Sequence, residues 1–260
     1  MDRHPQRTDI RFVRTQQNLG VRDNILKGIS LAQGKFIILA CGDDIMLPTR
    51  VEKMVNVWRD EKVSLVTTNA MYIDENSAEL GRFFRPPDQP YDQTLETLAR
   101  DGSNALCFGA SMGFERRLFE EAGWPRGYPS VLDTMLPFSA CLAKGARFIP
   151  EPLLKYRVSP QNTSLSLAAE SSTGVDKLMI EHNISCRHME QSILMEGELE
   201  RLNEKDPARY SEIARHIRPV IAVQRSEMAC KLVQTRIELN KMGVTRLIGE
   251  TKIECAKESS

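Results

Sequence analysis

The chain has 260 residues, 35 of them basic and 35 acidic, so its formal net charge is zero. That length supports one substantial core, or a core with an appendage. The charge balance excludes a dedicated nucleic-acid binder, which carries a basic excess. No run of residues is apolar for long enough to span a bilayer, and MDRHPQRTDI at the start is too polar for a secretory signal.

The first half alternates strand and helix signals. IRFVRT (Ile10 to Thr15) reads as a short strand. VRDNILKGISLAQ follows with Val21, Ile25, Ile29 and Ala32 close to a helical repeat, and Gly34 marks its stop. FIILAC is apolar almost throughout, which predicts a strand covered on both faces in a parallel sheet. Pro48 opens the next helix, in which Val51, Met54, Val55 and Trp58 share a face. VSLVTTNAMYI is a third strand, and the short connections imply right-handed crossovers between parallel neighbours.

The pattern then loosens. LGRFFRPPDQPYDQ reads as a Pro-rich loop near a site. TLETLARDG is a short helix, LCFGASMGF a strand, and the residues from about Arg116 to Ala122 a helix. LDTMLPFSACLAKG is a helix stopping at Gly145, and ARFIPEPLLKYRVS a pair of short strands around Pro150 and Pro152. Beyond Ser164, Pro and Gly become rare and apolar residues recur at helical steps. Asp206-Pro207 is a cap and first-turn signal for a helix carrying Ile213 and Ile217, which Pro219 should break or kink. The domains expected are therefore 1–164 and a helical extension over 165–260. The extension's apolar stripe has three outlets: packing on the domain, pairing with a second copy, or peripheral contact with a membrane. Packing within the protein is the default.

Six cysteines (Cys41, Cys107, Cys141, Cys186, Cys230 and Cys255) make no CxxC pair, and they read as reduced, mostly buried thiols of a cytoplasmic protein. His182 and His188 are six residues apart and fall on different helix faces, so zinc is not expected. The chemistry concentrates instead in KFIILACGDDIMLP, where a buried strand runs into Asp43 and Asp44. Adjacent carboxylates are often mere turn residues. In an open sheet, however, ligands bind beyond the carboxyl ends of strands. Carboxylate oxygens there suit a hard divalent cation bridging a diphosphate. No GxxxxGK[ST] loop is present, so this is not a P-loop enzyme.

NLGVRDNILKGISLAQGKFIILACGDDIMLP resembles the middle of the family 2 glycosyltransferases, which have the GT-A fold. Asn18, Gly20, Gly28, Ala32 and Gly34, then Gly42, Asp43, Asp44 and Pro48, stand at the family's intervals. GASMGFERRLFEEAGW is similar to the acceptor-side strand and helix, and SVLDTMLPFSACLAKGARFIPEPLLKYRVSPQNTS to the segment bearing the catalytic carboxylate. The resemblance covers roughly Ile10 to Ser164. It implies an α/β, GT-A-like (Rossmann-like), mostly parallel sheet flanked by helices. It also implies inverting, metal-dependent transfer from a nucleotide-diphosphate sugar, with Mn²⁺ or Mg²⁺ as cofactor. The acceptor implied is a glycan or lipid-linked hydroxyl of a cell-envelope or capsule polysaccharide, met in the cytoplasm or at the inner face of the membrane.

Carried over residue by residue, Asp43 matches the metal-coordinating last Asp of the DxD motif, with Asp44 beside it at the diphosphate. The motif's first Asp is Cys41 here, a poor ligand for Mg²⁺ or Mn²⁺. Asp133 matches the general base, with Leu132 in place of the usual acidic neighbour; a helix N-cap role is compatible with it. Arg157 either faces the diphosphate or is an ordinary surface arginine. Asn24 either bonds the donor base or lies on a helix surface, and Trp124 either stacks on a sugar or packs in the core. Relatives begin with a nucleotide-binding strand-helix-strand, and the chain starts only a few residues before what would be their third strand. An N-terminally truncated domain is expected on that count. The alternative function is a non-catalytic relative binding a partner through its helical tail.

Overall fold

The computed structural model describes residues 10–87, 91, 93–101, 109–121, 131–158 and 172–244. A six-stranded sheet organises the first part: β1 Phe36–Ile38, β2 Ile45–Met46, β3 Leu65–Ile73, β4 Glu79–Phe83, β5 Met112–Glu115 and β6 Ala146–Arg157. Around it lie α1 Gly20–Leu31, α2 Arg50–Glu61, α3 Leu95–Asp101, α4 Arg116–Glu120 and α5 Val131–Ala143; α6 Gly174–Lys205 and α7 Pro207–Lys241 form the extension.

The strand order is β1-β5-β3-β6-β2, with β4 also on β3. Only β3 and β6 pair in parallel; β1–β5, β3–β5, β3–β4 and β2–β6 are antiparallel. The α/β class with a helical extension is as expected, but the sheet is mixed rather than mostly parallel. A crossover helix sets the relative direction of two strands, not their adjacency. Here β1 and β3 do run the same way, and β5 lies antiparallel between them.

β3 is buried from Leu65 through Ala70 because both of its faces are covered. Val66 packs with Val63 and with Met54 of α2 on one side. Leu65 joins Leu98, Phe114, Leu132, Met135 and Leu136 on the other. Phe36 stacks on Trp58 with ring centroids 4.9 Å apart. Its ring also lies across β5 at Gly113, where an added Cβ would come within 2.7 Å of it.

β6 is one strand, not two, because Asn69 bridges the irregularity its prolines create. Register jumps on both sides of Asn69, which stands opposite Pro152. The Asn69 amide nitrogen donates to Pro150 O and Arg85 O, both at 2.9 Å, while its side-chain oxygen accepts from Ala70 N and Arg85 N. The side chain thus replaces ladder bonds that proline cannot donate.

Two further expectations are corrected. Residues 10–15 form no strand, and Ile10, Phe12 and Val13 are exposed: the sheet offers them no paired edge, and propensity alone does not make a strand. Part of the expected Pro-rich loop is β4, folded back on β3 by the turn in which Asp74 Oδ1 accepts from Asn76 N and Ala78 N.

The extension shares the domain's core. Met195 and Leu199 of α6 and Tyr210, Ile217 and Ile221 of α7 are buried in the same cluster as Leu98, Met135 and Leu136. Arg209 donates to Leu142 O and Ala143 O, carbonyls at the end of α5 that have no helical partner. Asp206 caps α7 by accepting from Arg209 N at 3.2 Å, and Pro207 follows it. Pro219 does not break α7, which continues to Lys241. Buried Ile217 and Ile221 hold the helix on either side of the missing N–H, and this packing offsets a local cost of about 3 kcal/mol.

Cys41, Cys141, Cys186 and Cys230 are free thiols, but they are not the mostly buried ones expected: Cys41 and Cys230 are exposed because they sit on a turn and on an outer helix face, and the other two are half-buried; Cys107, Cys255 and Trp124 lie outside the described residues. Among the described residues no helix is long and apolar enough to cross a membrane.

The Asn69 bridge is testable. Asn69→Asp replaces an amide donor between two carbonyls with an acceptor, and should lower unfolding free energy by about 2–4 kcal/mol in urea titrations. Asn69→Gln, which keeps the amide, should lose less.

Candidate active site

β1 and β2 lie at opposite ends of the strand order, so residues 39–44 cross the sheet between them. Leu39 N still donates to Met112 O at 3.0 Å. The chain then turns through Cys41–Asp44 and re-enters pairing at Ile45, opposite Lys155 of β6. This crossing places the acidic corner at the carboxyl end of β6, where sheet crevices bind ligands.

The ligand atoms of Cys41, Asp43 and Asp44 all lie within 4.8 Å of one another. Asp44 is half-buried. Its Oδ1 accepts the Arg157 backbone N–H at 3.0 Å, while Oδ2 is buried without a hydrogen bond. Burial pushes its carboxyl up to about 6; Asp43 adds to the rise, and the Arg157 N–H opposes it. Burial, then Asp44, Asp43 and Asp133, push the Cys41 thiol up to about 11. At neutral pH it is a protonated thiol.

Arg157 occupies neither place foreseen for it. Its Nε donates to Asp43 O, its Nη1 to Asp74 O and Glu75 O, and its Nη2 to Ser77 Oγ. The guanidinium ties the corner to the β3–β4 turn, and its backbone N–H, not its charge, reaches Asp44. Asn24 is exposed on α1. Among the described residues no hydrogen bond joins it to the corner.

Beneath the corner lies a residue the sequence reading missed. Arg50, at the start of α2, is fully buried. Its Nη2 donates to Leu39 O at 3.1 Å and to Ala110 O at 2.5 Å, while its Nε and Nη1 are buried with no hydrogen-bond partner among the described residues. Burial pulls it down to about 10, against the opposing pull of Asp44 and Cys41. Its signal was present: Arg50 precedes Met54 by four residues and so falls on the buried stripe of α2, whereas Val51 is half exposed.

Asp133 stands in the first turn of α5. Its carboxylate accepts the Gly109 N–H, and burial pushes it up to about 6 against that bond and the Arg187 charge on α6. Gly109 is required by this approach, since a Cβ there would sit 2.9 Å from Asp133 Oδ1. Gly109–Ser111 is the short 3-10 turn entering β5. The turn that grips Asp133 through Gly109 is therefore gripped by Arg50 at Ala110. Sequence reading identified the carboxylates and missed the Gly109 cradle and Arg187, neither of which carries a local pattern.

Residues 2–123 match the family model described as glycosyl transferase family 2. Over that segment, somewhat under half of its length, the chain is similar to glycosyltransferase family 2. An uncharacterized glycosyltransferase of Methanocaldococcus jannaschii is 26% identical over 158 residues, which is 60% of this chain and 53% of that protein. The chain thus spans about half the length of the curated relative it matches. Among solved structures, S. aureus TarS residues 1–349 in complex with UDP-GlcNAc aligns with a TM-score of 0.40 and 10% identity, covering 84% of this chain and 70% of that one. The same TarS fragment with UDP gives 0.38 and 14%, covering 83% and 69%. Asp43, Asp44, Arg50 and Gly109 lie within the family 2 segment; Asp133 and Arg157 lie beyond it.

The buried state of Asp133 has a consequence for stability. A carboxyl raised from 3.8 to about 6 on folding contributes stability that is fully present below its unfolded value and lost as pH rises through about 6. Asp133→Asn, which can still accept the Gly109 N–H, should therefore raise the urea midpoint at pH 8 by the equivalent of about 1–3 kcal/mol and leave it nearly unchanged at pH 3.5.

Proposed function

We propose that the chain transfers a sugar from a nucleotide-diphosphate donor to an acceptor hydroxyl with inversion, with Asp133 as the general base. The observation that carries this reading is that one three-residue turn holds Asp133 on one side and on the other is bonded by Arg50, which also grips Leu39 O just before the acidic corner and feels the charge of Asp44. Base and donor site would then keep a constant separation through turnover, as a single displacement requires. Asp133 removes the proton of the acceptor hydroxyl while that oxygen attacks the anomeric carbon, and the diphosphate departs from the opposite face. A value of about 6 suits a base that is ionised at neutral pH yet more basic than an ordinary carboxylate.

The donor set fits a hard cation in part. Asp43 and Asp44 offer carboxylate oxygens, one of them buried and without a hydrogen bond, whereas the Cys41 thiol held near 11 is unsuited to Mg²⁺ or Mn²⁺. A cation held by the two carboxylates would neutralise charge on the leaving diphosphate. The Asp43 and Asp44 side chains then orient that end of the donor, and Arg157 fixes the corner they stand on rather than meeting the diphosphate itself. Asn24 remains a candidate for the donor base. The acceptor is proposed to be a glycan or lipid-linked chain, met in the cytoplasm or at the inner face of the membrane.

Cys41 in the first acidic place favours a second reading, a non-catalytic relative. The two separate in a thermal-shift series with Mn²⁺ or Mg²⁺ and a panel of nucleoside diphosphates. Transferase function expects metal-dependent stabilisation by one nucleotide, lost in Asp43→Ala; no stabilisation by any pair supports the non-catalytic reading. In single-turnover transfer assays, Asp133→Ala should reduce the rate by about 100- to 10,000-fold with nucleotide binding retained. Unmodified activity in that variant removes Asp133 from the mechanism. The wild-type rate should fall as pH drops through about 6, where Asp133 takes up its proton, and Gly109→Ala should displace this profile by crowding the carboxylate.

A further inference from the structure

The outer face of α7 carries a second seam with the same rhythm as its inner one. Ile217, Ile221, Gln224, Met228, Thr235 and Leu239 are buried towards α6 and the domain. On the other side Val223, Ser226, Cys230, Val233, Ile237 and Asn240 recur at alternating steps of three and four, the 3.5-residue period of helix-to-helix seams. Val223, Val233 and Ile237 are 59%, 62% and 49% exposed. A helix that only covers a domain is polar on its outer face; this one is apolar along a line.

We propose that this seam pairs with the same seam of a second copy of the chain, in an antiparallel two-helix contact. The pattern is self-complementary in that direction. Setting Cys230 against Val233 of the second copy also sets Ile237 against Ser226 and Val223 against Asn240. Each layer then joins a branched apolar side chain to a smaller or polar one. The flanking positions decide the orientation. Antiparallel pairing puts Glu227 beside Gln234 and Ala229 beside Arg236 of the second copy, with no like charges opposed. Parallel pairing would put Arg236 beside Lys241 of the second copy, a repulsion repeated by symmetry. The surroundings of the seam mix Glu227, Lys231, Glu238 and Lys241, which does not favour an anionic membrane.

From Val223 to Asn240 the seam runs about 26 Å, so a contact of two such helices falls at the low end of stable interface sizes. The association is accordingly weak, on the order of micromolar, and seen only as concentration rises. It is independent of the transferase reading, because neither its residues nor its test involves the acidic corner.

Sedimentation of the full chain from about 1 to 300 μM spans that range and should show one chain mass moving towards two. A short bis-maleimide should recover a Cys230–Cys230 cross-link between copies, identified by mass spectrometry. Val233→Glu and Ile237→Lys, both at exposed positions, should keep the wild-type thermal midpoint and weaken association at least tenfold. Ala229→Glu, which sets a carboxylate beside Arg236 of the second copy only when the helices are antiparallel, should tighten it by about two- to fivefold. A single chain mass at every concentration overturns the proposal. So does association unaltered by Val233→Glu and Ile237→Lys, or association left unchanged or weakened by Ala229→Glu. Binding to anionic vesicles without self-association would assign the seam to a membrane instead.

Discussion

The guanidinium of Arg50 is buried where three segments of different origin meet: the end of β1, the turn into β5 and the acidic corner. An ionised group so placed costs several kcal/mol in desolvation unless charge and hydrogen bonds offset it. Leu39 O and Ala110 O supply bonds, and the Asp44 carboxylate supplies a compensating charge. Two of its nitrogens remain without partners among the described residues, so the compensation depends on keeping those segments together. The arginine therefore acts as a constraint. If the corner moves away from the β5 turn, a buried cation loses what makes its burial tolerable.

That constraint accounts for the arrangement of the carboxylates. Asp43 and Asp44 crowd each other, and Asp44 is raised chiefly by burial. Asp133, on a distant helix, is raised by burial as well, but it is steadied by a single backbone donor and by Arg187 from the helical extension. The extension is thus more than an appendage. It shares the core beneath α3 and α5, ties off α5 through Arg209, and places a positive charge within reach of the candidate base. Removal of α6 would expose the main cluster and deprive Asp133 of the Arg187 charge.

Of these helices, α7 carries two seams, one buried and one open. A helix hairpin lying on a domain needs only the first. The second, with charges placed so that a reversed copy meets no repulsion, is the kind of surface that suits a second copy of the same helix.

Much of the local structure was legible in the sequence because it depends on short-range periodicity. The helices of α1, α2, α3, α5 and α7, the long strand β3 and the Asp206-Pro207 start all follow from spacing and capping chemistry. The acidic corner was legible because an apolar run ends there in two adjacent carboxylates, although the run is less buried than its composition implies: Ile37 is its one buried residue and the strand stops at Ile38. Decisions between distant segments were not legible: that β5 lies between β1 and β3, that Asn69 joins two proline-bearing halves into β6, that Ile10 to Thr15 finds no partner, and that packing carries α7 through Pro219. Arg157 looked like a ligand because its position matched, yet its donors are engaged with carbonyls far away in sequence. Arg50 was passed over for the converse reason: its spacing from Met54 puts it on the buried stripe, but a charge at the start of an amphipathic helix is normally solvated. By itself the sequence determined which residues carry charge and which elements form, through patterns a few residues long. The tertiary structure alone decided which charges are buried, who answers them and which carboxyls are raised above their ordinary range, because desolvation and counter-charge depend on neighbours the chain supplies from tens of residues away.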